Sequence, residues 1–356
     1  MPLLKLQEGA CPMNIFENLP GALLPWYEQN RRQLPWRENR DPYRIWISEI
    51  MLQQTRVEAV KGYYARFLAA CPDVKSLASA PDEQLHKLWE GLGYYSRVRN
   101  LKKAAQVVME EYDGQFPRDY EKILALPGIG EYTAGAICSI AWDMPTPAVD
   151  GNVLRVISRM TDDATPIDDP KYKKSVRQRL EAIYPDRAGD FTQGLMELGA
   201  TICGPNRKPQ CDLCPCAAFC LGYRRGTAEN LPVKAPKKKR RTEEMTVFIM
   251  TCDGKIALRK RPDAGLLAGL WEFPHCHGRL ETADALSKVE DFGAKPKEIH
   301  KAVEKNHIFT HIEWVMRGVY LEVDQESEAF TWLSLEEIQT QAALPTAFRQ
   351  FIMHPM

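Results

Sequence analysis

LPGIGEYTAGAICSIAW, residues 126–142, decides the fold. Gly128-Ile129-Gly130 permits a tight turn, and the apolar run after it, studded with small residues, reads as a buried helix. Amides at the mouth of such a turn open the next helix and suit a phosphate. A glycine turn between helices is also an ordinary structural device, so the stretch gains weight from its surroundings. Twenty residues beyond Gly130 stands Asp150, in PAVDGNVLRVISR, where it suits the N-cap of a helix begun by Gly151 and Asn152.

Outward from this hairpin the text from about residue 21 to 202 is a succession of helical patterns with Pro and Gly punctuation. Asp41 as N-cap and Pro42 at the first helical position start YRIWISEIMLQQTRV, which carries Glu49. Further helices are predicted over about 60–70, 82–92, 97–111, 119–126, 131–142, 151–160, 171–183 and 190–202. A Glu in an amphipathic helix is ordinarily a surface residue. Glu49 sits among Ile45, Trp46, Ile47, Ile50, Met51 and Leu52, where an apolar setting would raise its pKa and keep a proton available.

The 356 residues, 44% of them hydrophobic, suffice for two domains. No apolar run approaches the roughly 18 to 20 residues that span a bilayer, and the N-terminus lacks the pattern of a signal peptide. A protein of the cytoplasm, with no membrane association, is expected. Forty-seven basic residues balance forty-seven acidic ones, which neither supports nor excludes nucleic acid. Ten cysteines in a long chain of this kind point to metal rather than to disulfides. Cys203, Cys211, Cys214 and Cys220 are separated by seven, two and five residues, and their spacing alone allows zinc or a [4Fe-4S] cluster.

After the cysteines, RRGTAENLPVKAPKKKRRTEE is rich in Pro, Lys and Arg and reads as a linker, its run Lys237–Arg241 being either solvated or a phosphate-backbone contact. From Met245 the pattern turns β-rich, in TVFIMTC, KIALRKR, WVMRGVYLEV and FTWLSL, with helical candidates near 281–290 and 334–340. The expected domains are an N-terminal extension over 1–20, a helical domain over 21–224 with its cysteine loop at 203–220, a linker over 225–243, and an α+β domain over 244–356.

The hairpin followed by Asp150 resembles the helix-hairpin-helix DNA glycosylase superfamily. That resemblance implies a mainly α, two-lobed glycosylase domain that grips the DNA backbone with the hairpin, at Leu126, Gly128 and Gly130, and flips a base into a pocket. The cysteines are similar to those of the iron-sulfur glycosylases of the endonuclease III and MutY type, which implies a [4Fe-4S] cluster on Cys203, Cys211, Cys214 and Cys220, shaping a DNA-binding loop with Arg207 and Lys208. The first gap here is one residue longer than the usual six, and Cys216 is a fifth cysteine, read as a bystander.

Bifunctional relatives carry a lysine two residues after the hairpin, where it forms a Schiff base; here Tyr132 occupies that place, which implies a monofunctional enzyme. WISEIMLQQT matches the motif of adenine DNA glycosylases. Glu49 is thereby expected as the acid, Asp150 as the carboxylate facing the developing sugar cation, and Tyr132 and Asn152 as residues that position them and the water. LPWR at Leu34–Arg37, QQT at Gln53–Thr55 and GLGYYSR at Gly91–Arg97 complete the pattern. They imply DNA contacts at Arg32, Trp36, Arg37, Gln54 and Tyr94, with Gln193 added from the last helix.

The C-terminal half resembles the Nudix-like lesion-recognition domain of MutY proteins through GLLAGLWEFP, HIFTH and ALPTAFRQF, which places Phe309, Thr310 and His311 against 8-oxoguanine. GRLETADALSKVEDFG does not fit the glutamate-dense Nudix box that holds Mg²⁺, so this domain is expected to bind and not to catalyse. Duplex DNA with adenine opposite 8-oxoguanine or guanine is the implied partner, for a monomer of bacterial type associated with the nucleoid.

Overall fold

The computed structural model describes residues 15–205, 207–236 and 239–352. The first fourteen residues lie outside it, as do Lys237 and Lys238 of the basic run. The chain forms two compact units, Met1–Ala78 with Lys103–Pro236, and Ser79–Lys102 with Lys237–Met356.

The first unit is helical. Asp41 caps the Pro42–Leu52 helix by accepting the Tyr43 amide at 2.9 Å, and the helix buries Tyr43, Trp46, Ile47, Glu49, Ile50 and Met51. Glu131–Trp142 follows the glycine hairpin, with Gly128 in the left-handed region at φ +76°. Gly151–Thr161 follows Asp150, and Ala188–Thr201 closes the set against it. Val153, Leu154, Ile157, Phe191, Leu195 and Leu198 build the core between these helices. Helices at Val57–Ala70, Pro170–Glu181 and Ala188–Thr201 lie where the sequence pattern sets them.

The first helix departs from expectation. Ile15–Asn30 begins within the stretch read as an extension and buries Phe16, Leu19, Leu23 and Tyr27. Pro20 and Pro25 interrupt it, and two prolines remove the backbone donors on which a helical reading leans.

The second unit is built on a sheet of strands β1 (Arg241–Cys252), β2 (Lys255–Lys260), β3 (Trp271–Glu272), β4 (His275–His277), β5 (Pro296–Ile308), β6 (Ile312–Val323) and β7 (Thr331–Ser334). The order is β3-β2-β1-β6-β5, with β4 paired to β1 and β7 to β2. β1 and β6 run parallel and the β5–β6 hairpin is antiparallel. β5 escaped the sequence reading because it is an edge strand with an outward row of Lys, Glu and His, so its alternation is carried by few apolar residues. The segment Ser79–Lys102 is tied into this unit: Lys87 donates to the carbonyls of Ile338 and Ala342 at 3.3 and 3.2 Å, Glu90 accepts the Leu344 amide at 2.9 Å, and Arg99 donates to the Ala268 carbonyl at 2.7 Å.

Candidate active site

Glu49 is buried, 5% exposed, on the inner face of its helix. Tyr132, in the first turn after the hairpin, donates its hydroxyl to Glu49 Oε2 at 2.6 Å. Burial pushes the Glu49 carboxyl up to about 7, the Tyr132 hydrogen bond pulls it down, the charge of Asp150 pushes it up and that of Arg37 pulls it down. A carboxyl in this range is about half protonated at neutral pH, so it can both give and take a proton there.

Asp150 is fixed from three directions. Its Oδ1 accepts the amides of Asn152 and Val153 at 2.9 and 2.8 Å, and its Oδ2 accepts Asn152 Nδ2 at 2.7 Å. Arg155 donates to Asn152 Oδ1 at 3.0 Å, which sets the amide so that its NH₂ faces Asp150. Burial raises the pKa of Asp150 and the three hydrogen bonds oppose the rise, so the group is a constrained carboxylate at a helix N-terminus.

Gly135 explains how these groups meet. A Cβ there would stand 2.3 Å from the Pro147 carbonyl oxygen, so the segment leading to Asp150 lies directly on the Glu131–Trp142 helix that carries Tyr132. Thr146 Oγ1 secures the approach by donating to the Gly135 carbonyl at 3.2 Å.

Glu197 is a member of the site that sequence reasoning missed. It is fully buried, accepting Arg32 Nε at 2.5 Å on Oε1 and Arg37 Nη2 at 2.7 Å on Oε2. Burial pushes its carboxyl up, but the two guanidinium groups hold it below its ordinary value. A glutamate in the apolar text GLMELGAT was the available signal. The structure thus joins Arg32 and Arg37 through one carboxylate, and the charge of Arg37 reaches Glu49 as well. Trp36 is packed inside, edge-on to Tyr64 at 5.5 Å, and Leu126 is buried beneath the hairpin. Gln193 is half-buried, its amide on the Gly189 carbonyl at 3.3 Å.

Gln54 is exposed at φ +58° and Tyr94 is 49% exposed at φ +49°. Apart from aspartates, Leu267 is the one other described non-glycine residue in the left-handed region; such backbone is costly for an ordinary side chain and concentrates at functional positions. Within the second unit the Tyr94 hydroxyl lies 3.3 Å from Thr310 Oγ1, so two separate sequence motifs share a hydrogen bond. Thr310 and His311 are exposed at the β5–β6 turn, while Phe309 packs on Trp314 with ring centres 4.8 Å apart.

Cys203, Cys211, Cys214 and Cys220 line one small cavity with Arg159 and Met160. Arg159 donates to Cys203 Sγ at 3.3 Å. Four cysteine thiols on one short loop are a donor set that a [4Fe-4S] cluster can take, one thiolate per iron. Cys216 is fully buried, does not line the cavity, and bonds to the Cys214 sulfur, holding the Cys214 thiol below its ordinary value.

Residues 47–185 match the HhH-GPD superfamily of base excision DNA repair proteins, and residues 245–354 match the NUDIX domain. The chain is 36% identical over 97% of its length to a mouse adenine DNA glycosylase, covering 80% of that protein. It is 33% identical over 82% of its length to the adenine DNA glycosylase of Buchnera aphidicola subsp. Schizaphis graminum, covering 84% of that protein. The mouse relative shows that the likeness extends beyond bacteria. Among solved structures, a thermostable thymine-DNA glycosylase superposes with a TM-score of 0.53 at 34% identity, over 58% of this chain and 94% of its own. No helix among the described residues is long and apolar enough to cross a membrane.

Proposed function

The chain belongs to the adenine DNA glycosylases, base excision repair enzymes of the HhH-GPD superfamily, and on that premise we propose that it removes adenine mispaired with 8-oxoguanine or guanine in duplex DNA without cutting the strand. The nucleotide swings out of the stack so that its base reaches the carboxyl groups. Glu49 gives its proton to N7 of adenine, and the base leaves neutral as the bond from N9 to C1′ breaks. Positive charge develops on the deoxyribose, and Asp150 stabilises it. Water adds to C1′, its proton passing to the ionised Glu49, and an abasic site remains.

The observation that carries this reading is the buried Glu49 carboxyl, poised at about 7, hydrogen-bonded by Tyr132 and within the field of Asp150. Tyr132 offers no amine, which supports hydrolysis over Schiff-base chemistry. Arg32 and Arg37, held together by the buried Glu197, are assigned to contacts with the DNA. Recognition of 8-oxoguanine is assigned to the Phe309-Thr310-His311 turn, with support from the Tyr94–Thr310 contact. Cys203, Cys211, Cys214 and Cys220 would hold a [4Fe-4S] cluster, which when bound cross-links its loop and takes no part in base release.

A duplex with adenine opposite 8-oxoguanine, incubated with the protein and then treated with alkali, tests the proposal. Cleavage at the adenine only after alkali supports it, and an intact strand overturns it.

A further inference from the structure

A groove of about 700 Å³ opens from Asp150 and the N-terminus of the Gly151–Thr161 helix. Arg155, Arg159, Arg207, Lys208 and Lys234 line it, against Asp150 and Glu229. In a chain whose charges sum to zero, this is a local excess of cations.

The cations are not equivalent. Arg155 and Arg159 are buried and committed to protein acceptors: Arg155 holds the Gly199 and Cys203 carbonyls at 2.9 and 3.0 Å, and Arg159 holds those of Leu231 and Gly204 at 2.8 and 3.1 Å. Arg207 donates to the Thr201 carbonyl, and Lys208 pairs with Glu229 at 3.4 Å. Lys234 is exposed and its ammonium has no acidic partner among the described residues.

Its position is nevertheless set by the fold. The Ile167 amide donates to the Val233 carbonyl at 3.0 Å, and the Ala235 amide donates to Asp168 Oδ2 at 3.2 Å. Leu231 is buried and its carbonyl holds Arg159. The stretch read from sequence as the start of a free linker is therefore pinned into the helical unit, with one unspent cation at the rim of the groove that ends at Asp150.

We infer that Lys234 is a phosphate contact for the DNA strand that carries the excised base, gripping its backbone as it leaves Asp150. The inference rests on the reading of Asp150 as facing the sugar. Exposed Lys234, unlike the buried Arg155 and Arg159, can meet a phosphate of a chain seated in the groove. A strand whose sugar meets Asp150 has its neighbouring phosphate beside that sugar.

The test is the salt dependence of binding by the full-length protein to a duplex with a tetrahydrofuran abasic analogue. One lost phosphate contact lowers the slope of log Kobs against log salt by about 0.9. K234Q is expected to bind several-fold more weakly at low salt with its slope reduced by that amount, and K234R to restore the slope. A slope unchanged in K234Q would overturn the inference. Adenine release by the unmodified protein is scored separately; its absence would sink the functional reading, whatever the slope.

Discussion

The Tyr132 hydroxyl donates to Glu49 Oε2 at 2.6 Å, tying the first turn after the glycine hairpin to the buried face of a helix more than eighty residues earlier. The bond steadies a carboxyl that burial drives toward its protonated form.

Glu49→Gln should abolish adenine release, by at least about 100-fold, because an amide has no proton to transfer. Binding to the mispaired duplex should survive. In the unmodified protein, base release should fall as pH rises through about 7, where Glu49 ionises. Stability supplies a second readout. The folded carboxyl titrates near 7 against 4.5 in the unfolded chain, so wild-type stability falls as pH rises between these values and is level above them. Glu49→Gln, which cannot ionise, should gain on the wild type over that window, by roughly 3 kcal/mol at most. Thermal melts of both proteins at acid and alkaline pH measure the difference, and a mutant–wild-type difference that is the same at pH 4 and pH 8 would refute the buried titration.

Tyr132→Phe removes a hydrogen bond that lowers the Glu49 pKa, so that pKa should rise further. The alkaline limb of the pH–rate profile should move to higher pH, while the maximal rate drops about tenfold through lost positioning. Single-turnover rates across pH separate the two effects. A profile that keeps its limb and only loses height would show that the hydroxyl orients without tuning.

Much of this was legible in the sequence, for identifiable reasons. Asp41-Pro42 and Asp150 are caps whose side chains bond where capping chemistry requires, so their helices start as read. Glu49 was conspicuous as an acid in apolar text. Glu197 stands in apolar text too, but its role comes from Arg32 and Arg37, more than 150 residues away, and such a pairing leaves no local pattern. The long edge strand β5 and the proline-bearing Ile15–Asn30 helix were hidden by their own composition. That Ser79–Lys102 joins the sheet-bearing unit could not be read from linear order, since the tie is made by side chains such as Lys87 and Glu90 reaching distant backbone.

Gly135→Ala should destabilise the helical unit by about 2 kcal/mol, because the new methyl meets the Pro147 carbonyl at 2.3 Å and either the helix or the segment before Asp150 must give way. Any retreat of residues 147–148 carries Asp150 with it. The loss of activity at temperatures where the variant is still folded should therefore exceed what its unfolded fraction explains. Circular dichroism melts paired with rate measurements decide the point, and a variant that is less stable but fully active while folded would contradict it.

The cysteine set predicts a division between neighbours. Cys214 lines the small cavity with Cys203, Cys211 and Cys220, while Cys216 is buried, does not line it and hydrogen-bonds Cys214. Cys216→Ala should thus keep iron and inorganic sulfide at the wild-type ratio per protein, with the visible absorption band intact. Cys214→Ala should lose iron and sulfide together, because a cube missing one protein thiolate is open to solvent at that iron. Iron and sulfide analysis of both purified proteins is the measurement. Loss of iron from Cys216→Ala with retention in Cys211→Ala would reassign the fourth thiolate to Cys216, and the longer first gap between Cys203 and Cys211 would then mark a displaced ligand.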